Sequence, residues 1–391
     1  MSTTEKNYAD QKVILDPKNY DIAWIALDEI EAKAAFHLLD ERHCGRFAVS
    51  AGDNYVYRAG SMGGHNIIIA TLPAGEENGT GAAAALASQV KKFFPNLWFG
   101  LLVGVAVGLP DLPRNRDIRL GDVLVSLPQG ESPALIPYDL GKETEDGFQP
   151  LRLGYSLAMT ETIVRSAIGS IKLEAPSEID IFRRHFEKMA NCEHATGTFV
   201  DPGQDKDVLR DENDQPIQRP QRPERTRVWY GPIGSGERLL ENAKTQNELR
   251  DRYGIIGLDI GAAGMMNRIP VGVIRGVCDY GGRQENEEWK PYAAAMAASY
   301  ARSLLDQIPP HNNAKASVFS PSYTSLSELA AKRQTENTGE TPESCYYVPL
   351  VRYTHSTGRE STIPAVDELT FGHHQNQRVA LLGLGGVNRP T

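Results

Sequence analysis

Asp279 closes the apolar run Val271–Cys278, which reads as a buried strand. In an α/β sheet the carboxyl end of a strand is where ligand-binding groups gather, so a carboxyl there can act as a general acid; it can equally cap the next turn. A second carboxylate, Glu31 with Glu29 beside it, follows another apolar run, Tyr20–Leu27, on the first helical turn, where a negative charge also suits the macrodipole. Gly79-Thr80-Gly81 opens a helix with free N–H groups and a hydroxyl, which suits phosphate or a sugar oxygen and is also plain turn chemistry. Arg58 and Arg119 are candidate sources of positive charge, or ordinary surface arginines. Metal chemistry has little support: His373-His374 lacks a third ligand at a recognisable spacing, and Cys44, Cys192, Cys278 and Cys345 form no Cys-x-x-Cys pair. Cys278 reads as a small buried neighbour of Asp279.

The elements that must position these residues alternate. YDIAWIAL predicts a strand and EIEAKAAFHLLDERH an amphipathic helix with Ala34, Leu38 and Leu39 on one face. YVYRAGSMGGHNIIIATLP predicts a hairpin turning at Gly63-Gly64, and GTGAAAALASQVKKFFP a helix stopped by Pro95. Strands follow at LWFGLLVGVAVGL, DVLVSLP and RVWYGPIGS, then helix LLENAKTQNELRDRYG, the apolar GIIGLDIGAAGMMN, strand VGVIRGVCDYGG and helix PYAAAMAASYARSLLDQI. Such alternation predicts an α/β fold with a mixed, mostly parallel sheet covered by helices. Residues 1–19 read as a loose tail without the apolar stretch of a signal peptide. Residues 201–227 are polar and proline-rich and read as a surface insertion, with Arg219, Arg222, Arg225 and Arg227 on a solvated loop. The composition shifts to linker type at 309–350, and 351–391 ends on a strand-like run into glycines.

With 41 basic against 50 acidic residues the net charge is −9, which argues against non-specific binding of nucleic acid or anionic membranes. The most apolar stretch, Leu97–Pro110, falls short of the roughly 20 residues of a membrane span. A reduced, cytoplasmic protein is the expectation.

Taken together and in order, YDIAWIALDEIEAKAA, AGSMGGHNIIIATLPAG with GTGAAAA, DIRLGDVLVS, and GLDIGAAGMMNRIPVGVIRGVCDYGG with NEEWKPYAAAMAASYARSLL resemble the nucleoside phosphorylase/nucleosidase superfamily. The likeness is to the phosphorylase-like N-terminal domain of fungal NLR-type proteins and covers residues 20–308. The tail, YYVPLVRYTHSTGRESTI with RVALLGLGGVNRPT, resembles the start of an NB-ARC domain whose phosphate loop is truncated and degenerate, with Gly383 in place but Asn388, Arg389 and Pro390 where Gly, Lys and Ser/Thr belong.

The resemblance implies a three-layer helix-sheet-helix nucleoside phosphorylase-like fold and cleavage of a purine nucleoside or nucleotide at its N-glycosidic bond, with water ahead of phosphate as acceptor. It makes Asp279 the acid that serves the leaving base and Glu31 the base for water. Thr80, Gly104, Ser235, Gly236, Asp259 and Ile260 become substrate-binding positions, with Gly79, Gly81 and Arg119 as weaker phosphate candidates. No cofactor is implied, and a homo-oligomer is. Two departures stand out. Relatives carry E-M-E-A-A-G where this chain has Asp259-Ile260-Gly261-Ala262-Ala263-Gly264, so the glutamate that grips the ribose hydroxyls is missing at Gly261. The loop G-I-G-G-G-V-P is Gly104-Val105-Ala106-Val107-Gly108-Leu109-Pro110, so side chains intrude where backbone approaches ligand. These departures keep two alternatives open: a non-catalytic binding or interaction module derived from an NLR-type protein, and a repurposed enzyme of a secondary-metabolite pathway.

Overall fold

The computed structural model describes residues 13–310, apart from 76–78, 146, 151–156, 193–196, 212–214, 238–239, 241 and 282–285. The chain divides into Met1–Lys315 and Ala316–Thr391, and the described residues all belong to the first unit. The start of the tail at 1–12, the linker beyond Pro310, His373-His374 and the NB-ARC-like segment with its phosphate loop lie outside the described residues.

The central sheet has 11 strands. They are β1 (Ile22–Ile25), β2 (Glu41–Arg42), β3 (Arg58–Met62), β4 (His65–Ala70), β5 (Phe99–Gly108), β6 (Val123–Ser126), β7 (Leu135–Pro137), β8 (Val228–Gly231), β9 (Ile233–Gly236), β10 (Gly257–Ile260) and β11 (Val271–Asp279). The main path runs β8-β6-β11-β5-β1-β4-β3-β2, and a branch leaves β5 through β10 and β9 to β7. Pairs β1–β4, β1–β5, β5–β11, β6–β8, β9–β10 and β7–β9 are parallel; β3–β4, β2–β3, β6–β11 and β5–β10 are antiparallel. The strands that carry helices on both faces are accordingly apolar throughout, as every residue of Ile22-Ala23-Trp24-Ile25 is buried. This is the α/β architecture with a mixed, mostly parallel sheet that the alternation predicts.

One local feature of the sheet creates the site. Strand β11 lies along one edge of β5 from Gly100 to Val107. On the other edge β1 pairs with Phe99–Leu102 and β10 with Val107 and Gly108. Among the described residues, 103–106 of β5 therefore have no strand on that edge, and the main-chain groups that face it need other partners.

The helices are α1 (Glu29–His37), α2 (Thr80–Phe93), α3 (Thr162–Lys172), α4 (Ile179–Ala190), α5 (Ala243–Tyr253), α6 (Ala262–Met266) and α7 (Lys290–Gln307). On one face α1, α3 and α4 gather round α7, which is buried from Tyr292 to Leu305. Alanines let α7 lie close, and Gly276 of β11 touches the Ala293 carbonyl where any side chain would collide. On the other side α2 packs on α6 with Gly264 against the Thr80 main chain.

Local chemistry sets the boundaries. Asp28 caps α1 and Glu31 completes a capping box. Asn242 caps α5, and Gly254, at φ 68°, ends it in the left-handed conformation that a side chain resists. RVWYGPIGS, expected as one strand, is two: Pro232 supplies no N–H, and beyond it the chain leaves β6 for the β7–β9–β10 branch. Leu38 and Leu39 are buried just past the end of α1. Among the described residues no helix is long and apolar enough to cross a membrane.

The 201–227 segment differs from the solvated loop that its composition suggests. Arg222 donates to both oxygens of the fully buried Asp122, at 2.5 and 3.2 Å. Arg225 pairs with Asp201 through two bonds of 2.8 and 3.0 Å and lies over the rings of Trp289 and Tyr292. Arg219 pairs with Asp117 and Asp207, and Arg227 with Glu224. Arg222 and Arg219 reach Asp122 and Asp117 about 100 positions away, so charge here marks attachment, whereas Arg227 pairs locally at the surface.

Candidate functional site

Glu31 sits in the gap along β5. Its Oε2 accepts from the N–H groups of Leu27 (2.9 Å) and Asp28 (3.1 Å), which lie where β1 runs into α1. Its Oε1 accepts from Val105 N at 2.8 Å, one of the β5 amides left without a strand. The carboxylate is 5% exposed, and burial pushes its pKa up against the pull of Arg275 and these amides. Glu29, its neighbour, points away and pairs with Lys33 at 2.8 Å on the surface.

Arg275 links the strands. It is 1% exposed on β11, opposite Gly104 in register, with Nη1 3.9 Å from Glu31 Oε1 and Nη2 paired to Asp259 Oδ1. Asp259 in turn accepts from Ser235 Oγ at 3.2 Å and Ala262 N at 2.8 Å, and Ser235 Oγ accepts from Ala263 N at 2.9 Å. This buried Glu31–Arg275–Asp259–Ser235 chain ties together α1, β11, β10, β9 and α6. Asp259 and Ser235, expected to touch substrate, are committed to that chain.

Gly104 makes the arrangement possible. A Cβ there would collide with the Glu31 carboxylate and the Arg275 guanidinium. Gly104→Ala is expected to cost about 1–3 kcal/mol of stability, as overpacking of a filled site does. An unchanged urea midpoint would show that the ion pair can step aside.

Asp279 lies at the end of β11, just past an irregularity in the register with β5. Its carboxyl accepts from Gly281 N at 2.5 Å and Asn286 N at 3.3 Å, but burial outweighs these bonds and raises its pKa. Burial also pushes the adjacent Cys278 thiol up to about 12, so it is no nucleophile near neutral pH. Asp279, Lys290, Glu31 and Glu287 all act electrostatically on that thiol. Lys290, at the start of α7, pairs with Asp28 at 2.7 Å.

The start of α2 is already occupied. Glu237, the residue after β9, accepts from Thr80 Oγ, from Thr80 N (2.6 Å) and from Gly81 N (3.4 Å). The Thr80 hydroxyl first, and these amides after it, hold the Glu237 carboxyl below its ordinary range against a little burial. A Cβ on Gly79 would press on this carboxylate, the far end of an exposed side chain. The phosphate reading of Gly79, Thr80 and Gly81 thus meets a negative charge of the chain's own. Arg119, the other phosphate candidate, is buried against Asp117 (2.7 Å) and the Pro220 carbonyl. Arg58 is exposed on β3. Ile260 is half-buried at the end of β10, and Gly236 packs against Tyr138.

Gly261 has φ 114°, and a Cβ on it would lie 2.7 Å from Leu27 Cδ1 and 3.2 Å from Ala83 Cβ. The backbone and the packing both suit glycine here, so a glutamate would be strained at this position. Among the described residues no group of three or more His, Cys, Asp or Glu side chains is arranged to hold a metal ion.

Arg275 and Glu237 escape the sequence reading. An arginine inside VGVIRGVCD is anomalous for a buried strand and is itself the signal. Glu237 carries none, because its partner lies 157 positions away.

No family model matches the chain. It is 32% identical over 403 residues to a nucleotide-binding leucine-rich repeat (NLR)-like protein of Hyaloscypha variabilis, an alignment that takes in 100% of this chain. The chain spans only 37% of that protein's length. Among solved structures it is similar to 5'-methylthioadenosine/S-adenosylhomocysteine nucleosidase from Neisseria meningitidis in complex with methylthio-immucillin-A, at 17% identity and a TM-score of 0.49, covering 73% of this chain and 98% of that one. It is also similar to futalosine hydrolase of Helicobacter pylori, at 14% identity and a TM-score of 0.49, covering 74% of this chain and 98% of that one.

Proposed function

We propose that the chain hydrolyses the N-glycosidic bond of a purine nucleoside or nucleotide. The observation that carries this reading is a set of two carboxyls whose pKa is raised by burial, Glu31 in the gap along β5 and Asp279 at the end of the neighbouring β11. Glu31 accepts three main-chain N–H bonds. A carboxylate has about four acceptor positions, so one remains for a water. With its raised pKa it is a stronger base than an exposed glutamate. Asp279 is held at a strand end with its proton favoured by burial, the state required to protonate or hydrogen-bond a departing base. Cleavage then has water deprotonated toward Glu31 while the bond to the base breaks and Asp279 serves the base nitrogen.

Hydrolysis fits better than phosphorolysis because Glu237 fills the start of α2, where a phosphate would meet like charge. The test is free base released from adenosine, guanosine, AMP, ATP and methylthioadenosine, with and without phosphate. Release that does not depend on phosphate is the expected result, and release that requires phosphate overturns this reading.

Sugar preference follows from Gly261 and the committed Asp259. Without either carboxylate on the ribose diol, 2'-deoxyadenosine is expected within about tenfold of adenosine in kcat/KM, since each charge-assisted bond forgone would otherwise count about 1.5–3 kcal/mol. A preference for adenosine of about a thousandfold would reveal another group on the diol.

The second reading is a binding or interaction module without catalysis. The similarity to an NLR-like protein and the absence of a carboxylate at Gly261 favour it. Nucleoside binding by calorimetry without base release from any substrate would establish it.

A further inference from the structure

Asp279 is bracketed by two anchors on which the 201–227 insertion closes. On its N-terminal side, Val277 O accepts from Gly121 N at 2.7 Å and Val277 N donates to Asp122 O at 2.8 Å. The Asp122 side chain is clamped by both nitrogens of Arg222 and also accepts from Trp229 Nε1 at 2.8 Å and Arg227 N at 2.9 Å. On the C-terminal side, Tyr280 Oη donates to Asp207 Oδ1 at 2.6 Å and accepts from Arg219 Nη2 at 3.0 Å and Leu120 N at 3.2 Å. Arg219 also pairs with Asp207 directly at 2.9 Å, and its guanidinium lies over the Tyr280 ring. Asp207 and Arg219 have side chains 1% and 5% exposed, and among the described residues Asp207 Oδ2 is buried without a partner.

Solvated arginines on a loop would not be arranged this way. Buried charge is tolerated only when paired and hydrogen-bonded, and breaking such a network is costly. The residue on which Asp207 and Arg219 converge is the one covalently attached to Asp279.

We propose that Asp207 and Arg219, in the 201–227 insertion, are positioning residues for Asp279 and act through the Tyr280 hydroxyl. The proposal rests on the reading of Asp279 as the acid. Burial of Asp279 depends on the strand end staying where the Asp207–Tyr280–Arg219 cluster holds it. Among the described residues, the other titratable groups that act on this strand end through Cys278 are Glu31 from α1, Glu287 just before α7 and Lys290 at its start.

The test uses the whole chain with carboxyl-¹³C aspartate, followed by NMR against pH. The resonance missing from Asp279→Asn is that of Asp279. In Tyr280→Phe its midpoint is expected to move down toward that of an exposed aspartate, because the loosened strand end admits water. Arg219→Lys, which keeps the charge beside Asp207 but loses the planar fork, provides a milder variant with a shift in the same direction. Where the parent turns over a nucleoside, Tyr280→Phe is also expected to lose about 100-fold in kcat with little change in KM, the size of effect that a small misplacement of a reacting group produces. An Asp279 midpoint unchanged in both variants overturns the proposal. A parent that releases no base overturns the nucleosidase reading instead, and the titration still decides the role of the insertion.

Discussion

Asp279→Asn is expected to lower base release by at least about a thousandfold, within the range that a general acid contributes, while the protein stays folded. Asparagine keeps the volume and an acceptor for Gly281 N but has no proton to give at the required strength. Stability supplies an independent check with a definite sign. The folded-state pKa of Asp279 is raised by burial, so the carboxyl favours the folded state most below its unfolded pKa, and that contribution is lost as pH rises through the folded value. Asparagine never ionises. The variant is therefore expected to match the parent at a pH of about 3, where the carboxyl is protonated in both states, and to equal or exceed it at a pH of about 7. Unfolding midpoints in urea at the two pH values would show this. A variant with full activity would remove Asp279 from the chemistry.

The largest loss of stability is expected from Arg275→Met. Arg275 is the cation between Glu31 and Asp259, all three almost wholly buried. Methionine fills much of the space and leaves two carboxylates facing each other without a counter-charge. Breaking a buried pair from one side costs about 3–5 kcal/mol, because the remaining charge is neither solvated nor compensated. Glu31, which loses the pull of Arg275, would answer by holding its proton to higher pH, so the deficit is expected to shrink below a pH of about 4 and grow above it. A urea midpoint that is depressed equally at all pH values would assign the loss to packing alone. Activity is expected to fall as well, since a protonated Glu31 cannot take a proton from water.

Much of this architecture is legible in the sequence because it rests on local rules. The alternation of apolar strand and amphipathic helix places β1, β4, β5, β6 and β11 and their intervening helices, and the Gly63-Gly64 hairpin follows from turn chemistry. α3 and α4 escape the sequence pattern, because their run is broken at Glu174-Ala175-Pro176-Ser177 and the apolar residues of α4 alternate with charges. The pattern also predicts one strand where Pro232 makes two. In the candidate site the sequence supplies Glu31 and Asp279, but it cannot reveal that Asp259 and Ser235 face inward to Arg275 or that Glu237 covers Thr80. Those facts depend on register between strands far apart in the chain. The arginines of 201–227 show the same limit: Arg222 finds Asp122 across 100 residues, and no local pattern distinguishes that from a solvated loop.

The gap along β5 separates what substitution can change from what it cannot. Glu31, Asp279 and Arg275 are side chains, and single codon changes can remove any of them. The open edge at residues 103–106 is made by where β1 stops and β10 begins. It survives every such change as long as the sheet folds. A descendant that had lost all three side chains would still carry the same unpaired stretch of main chain between the end of β1 and the start of β10.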